Sequence, residues 1–129
     1  MSTQRGIKRT KAQPLDRDKA LLITSSVPVE KGFRFFTDIH RPTGTFATSI
    51  FDFAEQLKKI ESKSLEFHMK RGDFSKWLSD VIKDDALSHE FEQLRSLGLA
   101  GEKLRTRIVV LVDRRCKELA TALKTLAPR

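Results

Sequence analysis

Tyrosine and asparagine are both missing from this 129-residue chain, and cysteine occurs once. A lone thiol, Cys116, excludes an internal disulfide, so a reducing, cytoplasmic setting is expected. No stretch approaches the roughly twenty consecutive apolar residues that span a bilayer, which argues against a membrane partner. The segment ALLITSSVPV follows a basic start, as the apolar part of a signal peptide would. Asp16 and Asp18 precede it, however, and Thr24-Ser25-Ser26 interrupts it. The motifs of common chemistries are missing too: no Cys-x-x-Cys, no His-x-x-x-His, no H-E-x-x-H, no Gly-x-Ser-x-Gly and no G-x-x-x-x-G-K-[ST]. No metal, cofactor or catalytic residue is therefore assigned, and a non-enzymatic protein is expected.

Charge is plentiful, and its placement is informative. The formal net charge is +8. Residues 1–20 contribute +4 and residues 100–129 contribute +5, while residues 21–99 carry −1. The basicity thus lies at the two ends of a nearly neutral middle, a pattern of cationic surfaces appended to a domain.

Hydrophobic periodicity supplies the element order. Residues 1–18, MSTQRGIKRTKAQPLDRD, hold little to bury and are expected to form a flexible basic arm. Two short apolar runs follow, Leu21 to Thr24 and Phe33 to Phe36, which at that length fit strands or extended segments. Arg41-Pro42-Thr43-Gly44 is expected to turn. Phe46, Ile50, Phe53, Leu57 and Ile60 then recur at steps of four and three, the spacing of one helical stripe. Ser49 and Asp52 match a capping box, so the predicted helix start lies between Gly44 and Ser49. Ser64 is expected to cap a second helix that faces inward through Leu65, His68 and Met69, with Lys70 and Arg71 in its last turn and Gly72 as its stop. Asp73 is expected to cap a third helix carrying Phe74, Trp77, Leu78 and Val81. A fourth, from Asp84 or Asp85 to about Leu97, turns Leu87, Phe91 and Leu94 inward and ends at Gly98. The last and longest runs from about Gly101 to Leu126.

The predicted fold class is mainly α: a compact bundle of about five helices with a long C-terminal helix, and with room for one or two short strands near the N-terminus. The expected organisation is a basic arm over 1–18, a helical core over 19–100 and a basic helix over 101–129 packed on that core or on a partner.

The stretch EFHMKRGDFSKWL, Glu66 to Leu78, concentrates the residues that could carry chemistry. His68 has Asp73 five positions on, a pairing that suits a general base or a metal ligand, but a joint between two helices accounts for nearly every residue present. His40, His89 and Cys116 are scattered, and Cys116 falls on an apolar seam where a thiol acts as a small hydrophobe. Thr43-Gly44-Thr45 would offer amides to a phosphate if it opened a helix. Phe33-Arg34-Phe35-Phe36 mixes aromatics with a base, as single-strand platforms do.

The final helix carries two opposed patterns. Val109, Val112, Cys116, Leu119, Leu123 and Leu126 alternate steps of three and four, a heptad seam whose C-terminal part, Val112, Cys116, Leu119, Leu123 and Leu126, is the candidate partner interface and would serve a homodimer. Ile108 and Leu111 widen the apolar face at its start. On the other side Lys103, Arg107, Arg114, Lys117 and Lys124 form a basic stripe, which Asp113 and Glu118 would relieve if it were only a solvated face. With Arg5, Lys8, Arg9 and Lys11 of the arm, these bases are the candidate contacts to nucleic-acid phosphates.

Five motifs between Gly32 and about Leu94 resemble an archaeal and bacterial family known only as a domain of unknown function. They are Phe33 and Phe35 as an F-x-F segment, Thr43-Gly44, Ala47 with Ser49-Ile50, Ser64-Leu65-Glu66-Phe67-His68, and Asp73-Phe74-Ser75-Lys76-Trp77-Leu78. The resemblance brings no activity with it. Fusion of some relatives to sugar-nucleotide or trehalose-forming enzymes implies an accessory role.

Taken together, the residues point to a protein that binds RNA or DNA, or a ribonucleoprotein such as the ribosome, through arm and helix face. The alternative is a helical protein-interaction module, accessory to carbohydrate-active enzymes, that works through the 109–126 seam.

Overall fold

The computed structural model describes residues 15–125 and is mainly helical. Its elements are α1 (Arg17–Thr24), a 3₁₀ turn (Val29–Lys31), β1 (Phe33–Asp38), β2 (Arg41–Ala47), α2 (Ile50–Lys59), α3 (Ser62–Arg71), α4 (Asp73–Trp77), a wide π turn (Leu78–Ile82), α5 (Asp85–Arg95) and α6 (Gly101–Lys124). The two strands form one antiparallel hairpin that packs on α3 and α2, and α6 lies against α1, α2, α3 and α5.

Leu21 to Thr24 is helical, not extended. The Asp16 carboxylate accepts from the Lys19 amide at 2.8 Å and starts α1, which buries Ala20 and Ile23. Thr24 and Ser25 then turn their hydroxyls back to the carbonyls of Ala20 and Leu21, at 2.8 and 2.7 Å, and the helix ends. Arg17 donates to the Leu123 carbonyl at 3.3 Å, tying α1 to the far end of α6.

The stretch from Arg41 to Gly44 is strand; the chain reverses one step earlier, at Ile39-His40. Pro42 has no amide to donate in its pairing with Phe36, and the Thr43 hydroxyl donates to the Phe35 carbonyl at 2.9 Å beside it. Phe46 therefore belongs to β2, where it stands half-exposed beneath the Arg34 guanidinium, 5.3 Å from carbon to ring centre. Its helical spacing with Ile50 is a coincidence of register. Ser49 settles the start of α2 by accepting from the Asp52 amide at 3.1 Å, while Asp52 reaches back to the Thr48 amide at 3.3 Å.

Helix α3 starts one turn before the expected cap, so Ser64 lies inside it, fully buried, with no hydrogen-bond partner for its hydroxyl among the described residues. Gly72 ends α3 at φ 75° and ψ 19° and occupies the cap position of α4 as well. Asp73 is thus the first residue of α4 and not its cap, which leaves its carboxylate available to other groups. Asp84 does cap α5, accepting from the Leu87 amide at 3.1 Å.

The centre of the core is aromatic. Phe33, Phe35, Phe53, Phe74, Trp77 and Phe91 form a connected cluster with ring centres 4.9–6.4 Å apart. The Trp77 indole donates to the Lys31 carbonyl at 2.9 Å, joining α4 to the strand side. Helix α6 completes this core through Leu104, Ile108, Val112, Leu119 and Ala122.

Candidate functional site

Residue types alone make His68 the most suggestive side chain, and its surroundings decide its role. Leu65 and Met69 set the buried face of α3, and His68 lies on that face with 4% of its surface exposed. Its Nε2 accepts from the Phe36 amide at 2.8 Å, and its Nδ1 lies 2.8 Å from Asp73 Oδ2. An amide can approach only an unprotonated Nε2, so the proton sits on Nδ1 and is donated to the carboxylate. Burial lowers the pKa of the imidazole, the Asp73 carboxylate pulls it back up, and the balance lies below the ordinary value. Arg71 Nε donates to the same Asp73 oxygen at 3.0 Å and its guanidinium lies over the Phe67 ring. Neither imidazole nitrogen is left to accept a substrate proton or a metal. His68 seals the open edge of β1 and locks the α3–α4 corner to the hairpin.

The other candidates of the polar kind separate in space. His40 lies exposed at the hairpin tip and His89 exposed on α5, while Cys116 is half-buried on α6 with its thiol pushed up to about 11 by burial. Among the described residues no three histidine, cysteine or acidic side chains come together as metal ligands. Thr43-Gly44-Thr45 lies within β2 and opens no helix. Phe33 and Phe35 point into the core, so of the mixed aromatic and basic run only Arg34 and the half-buried Phe36 reach the surface.

The apolar seam of α6 finds its partner within the chain. Val112 and Leu119 are buried, and Val109, Cys116 and Leu123 are half-buried against the core. The helix that covers this narrow end is α1, the segment expected to be extended. Val112 and Leu119 are therefore unavailable to a second chain unless α1 departs. Leu126 lies outside the described residues.

The basic stripe behaves differently. Lys103, Arg107, Arg114, Lys117 and Lys124 are all exposed, on the side of α6 turned away from the core. They span about 30 Å at 1.5 Å per residue. Asp113 and Glu118, the acids that would have relieved them, are turned elsewhere. Asp113 faces Lys58 of α2 at 3.5 Å and Glu118 binds Arg115 at 3.0 Å, while Glu102 binds Arg105 at 2.8 Å. Of the five stripe residues, Arg114 alone has an acidic partner among the described residues, Glu90 of α5 at 2.7 Å. Arg5, Lys8, Arg9 and Lys11 lie outside the described residues.

Two further bases of α6, absent from the stripe, have structural duties that no local spacing announces. Arg115 grips the fully buried Asp84 with two parallel bonds of 2.8 and 2.9 Å, fastening the start of α5 to α6. Arg105 donates to the Leu57 carbonyl at 2.8 Å and closes the end of α2. Glu66 accepts from the Gly101 amide at 2.7 Å, capping α6 from a helix 35 residues away.

No family model matches the chain, no curated protein matches it in sequence, and no solved structure matches its fold. Among the described residues no helix is long and apolar enough to cross a membrane.

Proposed function

We propose that this protein performs no chemistry of its own and binds nucleic acid, free or within a ribonucleoprotein such as the ribosome, in the cytoplasm. The outer face of α6 and the basic arm contact phosphate, and the rest of the fold holds the helix rigid. The observation that supports this is the diversion of acids away from the stripe. Asp113, Glu118 and Glu102 pair with Lys58, Arg115 and Arg105 and with no residue of the stripe, so Lys103, Arg107, Lys117 and Lys124 stand without an acidic partner among the described residues. Like charges held in a line on a rigid helix repel one another, and a polyanion that neutralises them also releases its own condensed counterions.

Salt dependence tests the proposal. Anisotropy of labelled duplex DNA, duplex RNA and single-stranded RNA, titrated at several salt concentrations, should give a log–log slope of about −0.7 to −0.9 per phosphate contact. Arg107→Gln/Lys117→Gln should flatten that slope by about two contacts. Deleting residues 2–12 should remove a further, separable part of the affinity. An unchanged slope in the double variant would sink the helix-face model, and no binding at low salt would sink nucleic-acid binding altogether.

A further inference from the structure

A second surface, remote in the sequence from the basic stripe, is built for a smaller ligand. A cavity of about 250 Å³ opens between β1 and α3, lined by Phe33, Arg34, Phe36, Ile39, Phe67, His68, Arg71 and Asp73. Its walls are mostly apolar: Phe36 and Phe67 are only half-buried there, and Ile39 is exposed at the rim. Aromatic and aliphatic surface left facing water gains roughly 25 cal/mol for each Å² that a ligand covers. A dry cavity of about 150 Å³ suffices for benzene, so this one has room for a single ring and one polar group.

The polar groups around it define what that group is. Arg34, from β1, lies over the Phe46 ring and has no carboxylate partner among the described residues. Arg71, from α3, reaches Asp73 through Nε at 3.0 Å and leaves its terminal nitrogens unengaged. Asp73 is neutralised by Arg71, so the cavity carries one net positive charge, that of Arg34. His68 supplies ring surface and no chemistry, since Phe36 and Asp73 occupy both its nitrogens. Two residues that end in planar guanidinium groups, Arg34 and Arg71, line this aromatic slot, and such groups match an oxyanion attached to a flat apolar body.

We infer that this cavity binds a small aromatic monoanion, with its ring between Phe36 and Phe67 and its oxyanion between Arg34 and Arg71. The site is independent of α6 and of the nucleic-acid reading, and it adds a small-molecule ligand to a protein otherwise described by its phosphate-binding face.

The test is a titration of the full chain with benzoate, followed by amide chemical shifts. Saturable shifts centred on Phe36, Ile39, Phe67 and Arg71, with a Kd of about 1 mM or tighter, are expected. Arg34→Gln should weaken binding about tenfold, the loss of one charge-assisted contact of roughly 1.4 kcal/mol. Because the Arg34 side chain is exposed, that variant keeps the fold, which its amide spectrum verifies. Benzyl alcohol, which keeps the ring without the charge, should bind about tenfold more weakly than benzoate. Benzenesulfonate, a second aromatic monoanion run in parallel, shows whether a carboxylate or a tetrahedral oxyanion is preferred, and saturable binding of either at the cavity supports the site. Absence of saturation for both anions up to about 10 mM would overturn it. So would an unchanged Kd in Arg34→Gln, or shifts gathered along Lys103, Arg107 and Lys117, which would indicate general attraction of an anion to a basic helix.

Discussion

The corner at His68 and the outer face of α6 are both rich in charge and both stood out as candidate sites, yet the fold treats them in opposite ways. At the corner the buried imidazole and indole have their partners inside the chain: Phe36 amide to imidazole, imidazole to Asp73, and the Trp77 indole to Lys31, while Arg71 spends only its Nε on Asp73. On α6 the partners have been drawn away, with Asp113 facing Lys58 and Glu118 binding Arg115. The contrast recurs within the one helix, where Arg115 is half-buried against Asp84 and Arg107 stands in water. What separates a structural charge from a charge available to a ligand is whether its hydrogen-bonding groups are already taken within the chain, and residue type does not reveal that.

The largest effect that would break this comparison is expected at Arg115. Arg115→Ala strips the buried Asp84 of its counter-ion and should cost about 3–5 kcal/mol in urea denaturation. A loss below about 1 kcal/mol would mean that Asp84 finds water or another donor, and that the two kinds of arginine on α6 are not distinct.

Trp77→Ala should cost a comparable 3–5 kcal/mol, because it empties the aromatic core and leaves the Lys31 carbonyl without its donor. Trp77→Phe fills most of the volume and should lose less, chiefly the hydrogen bond, at about 1 kcal/mol. Equal losses in the two variants would show that packing of the ring is not what Trp77 contributes.

His68→Gln should cost about 1–3 kcal/mol near neutral pH, as two buried partners lose their geometry. Its pH dependence sharpens the point. Burial holds the folded imidazole below its ordinary value of 6.5, so on acidification the unfolded chain takes up the proton first. The His68 contribution is whole above about pH 6.5 and is lost as pH falls from there towards the folded value. Wild type should therefore lose more stability than His68→Gln between about pH 7.5 and 5.5. Parallel losses in the two proteins would remove His68 as the source.

The smallest effect is expected on the stripe. Arg107→Gln/Lys117→Gln should change stability by no more than about 0.5 kcal/mol per site, since both side chains are exposed and neither has an acidic partner among the described residues. A marked stabilisation would be equally instructive, because it would measure the repulsion that the stripe stores.

Much of this architecture was legible in order along the chain. Ser49 with Asp52, Gly72 as a stop, a helix start at Asp84 or Asp85 and the inward sets Leu87, Phe91, Leu94 and Phe74, Trp77, Leu78 all act over one or two turns. The errors lay where a local pattern had two solutions. Phe46 fitted a helical stripe and a strand equally well, and ALLIT was too short to distinguish helix from strand. The second error propagated, for without α1 the sequence did not choose between the chain's own core and a second chain as the partner of the α6 seam.

By itself, then, the sequence determined the helical class, the α2 start at Ser49, the stop at Gly72, the long basic C-terminal helix and most of the apolar sets that fill the core, because hydrophobic periodicity and capping operate between residues three or four apart; the caps expected at Ser64 and Asp73 were not among them. Only the tertiary structure decided what the charges do. His68 meets the Phe36 amide across 32 positions, Arg115 meets Asp84 across 31 and Glu66 meets Gly101 across 35. Such pairs are chosen by how whole helices pack, and a buried donor or acceptor takes whichever partner that packing brings within reach.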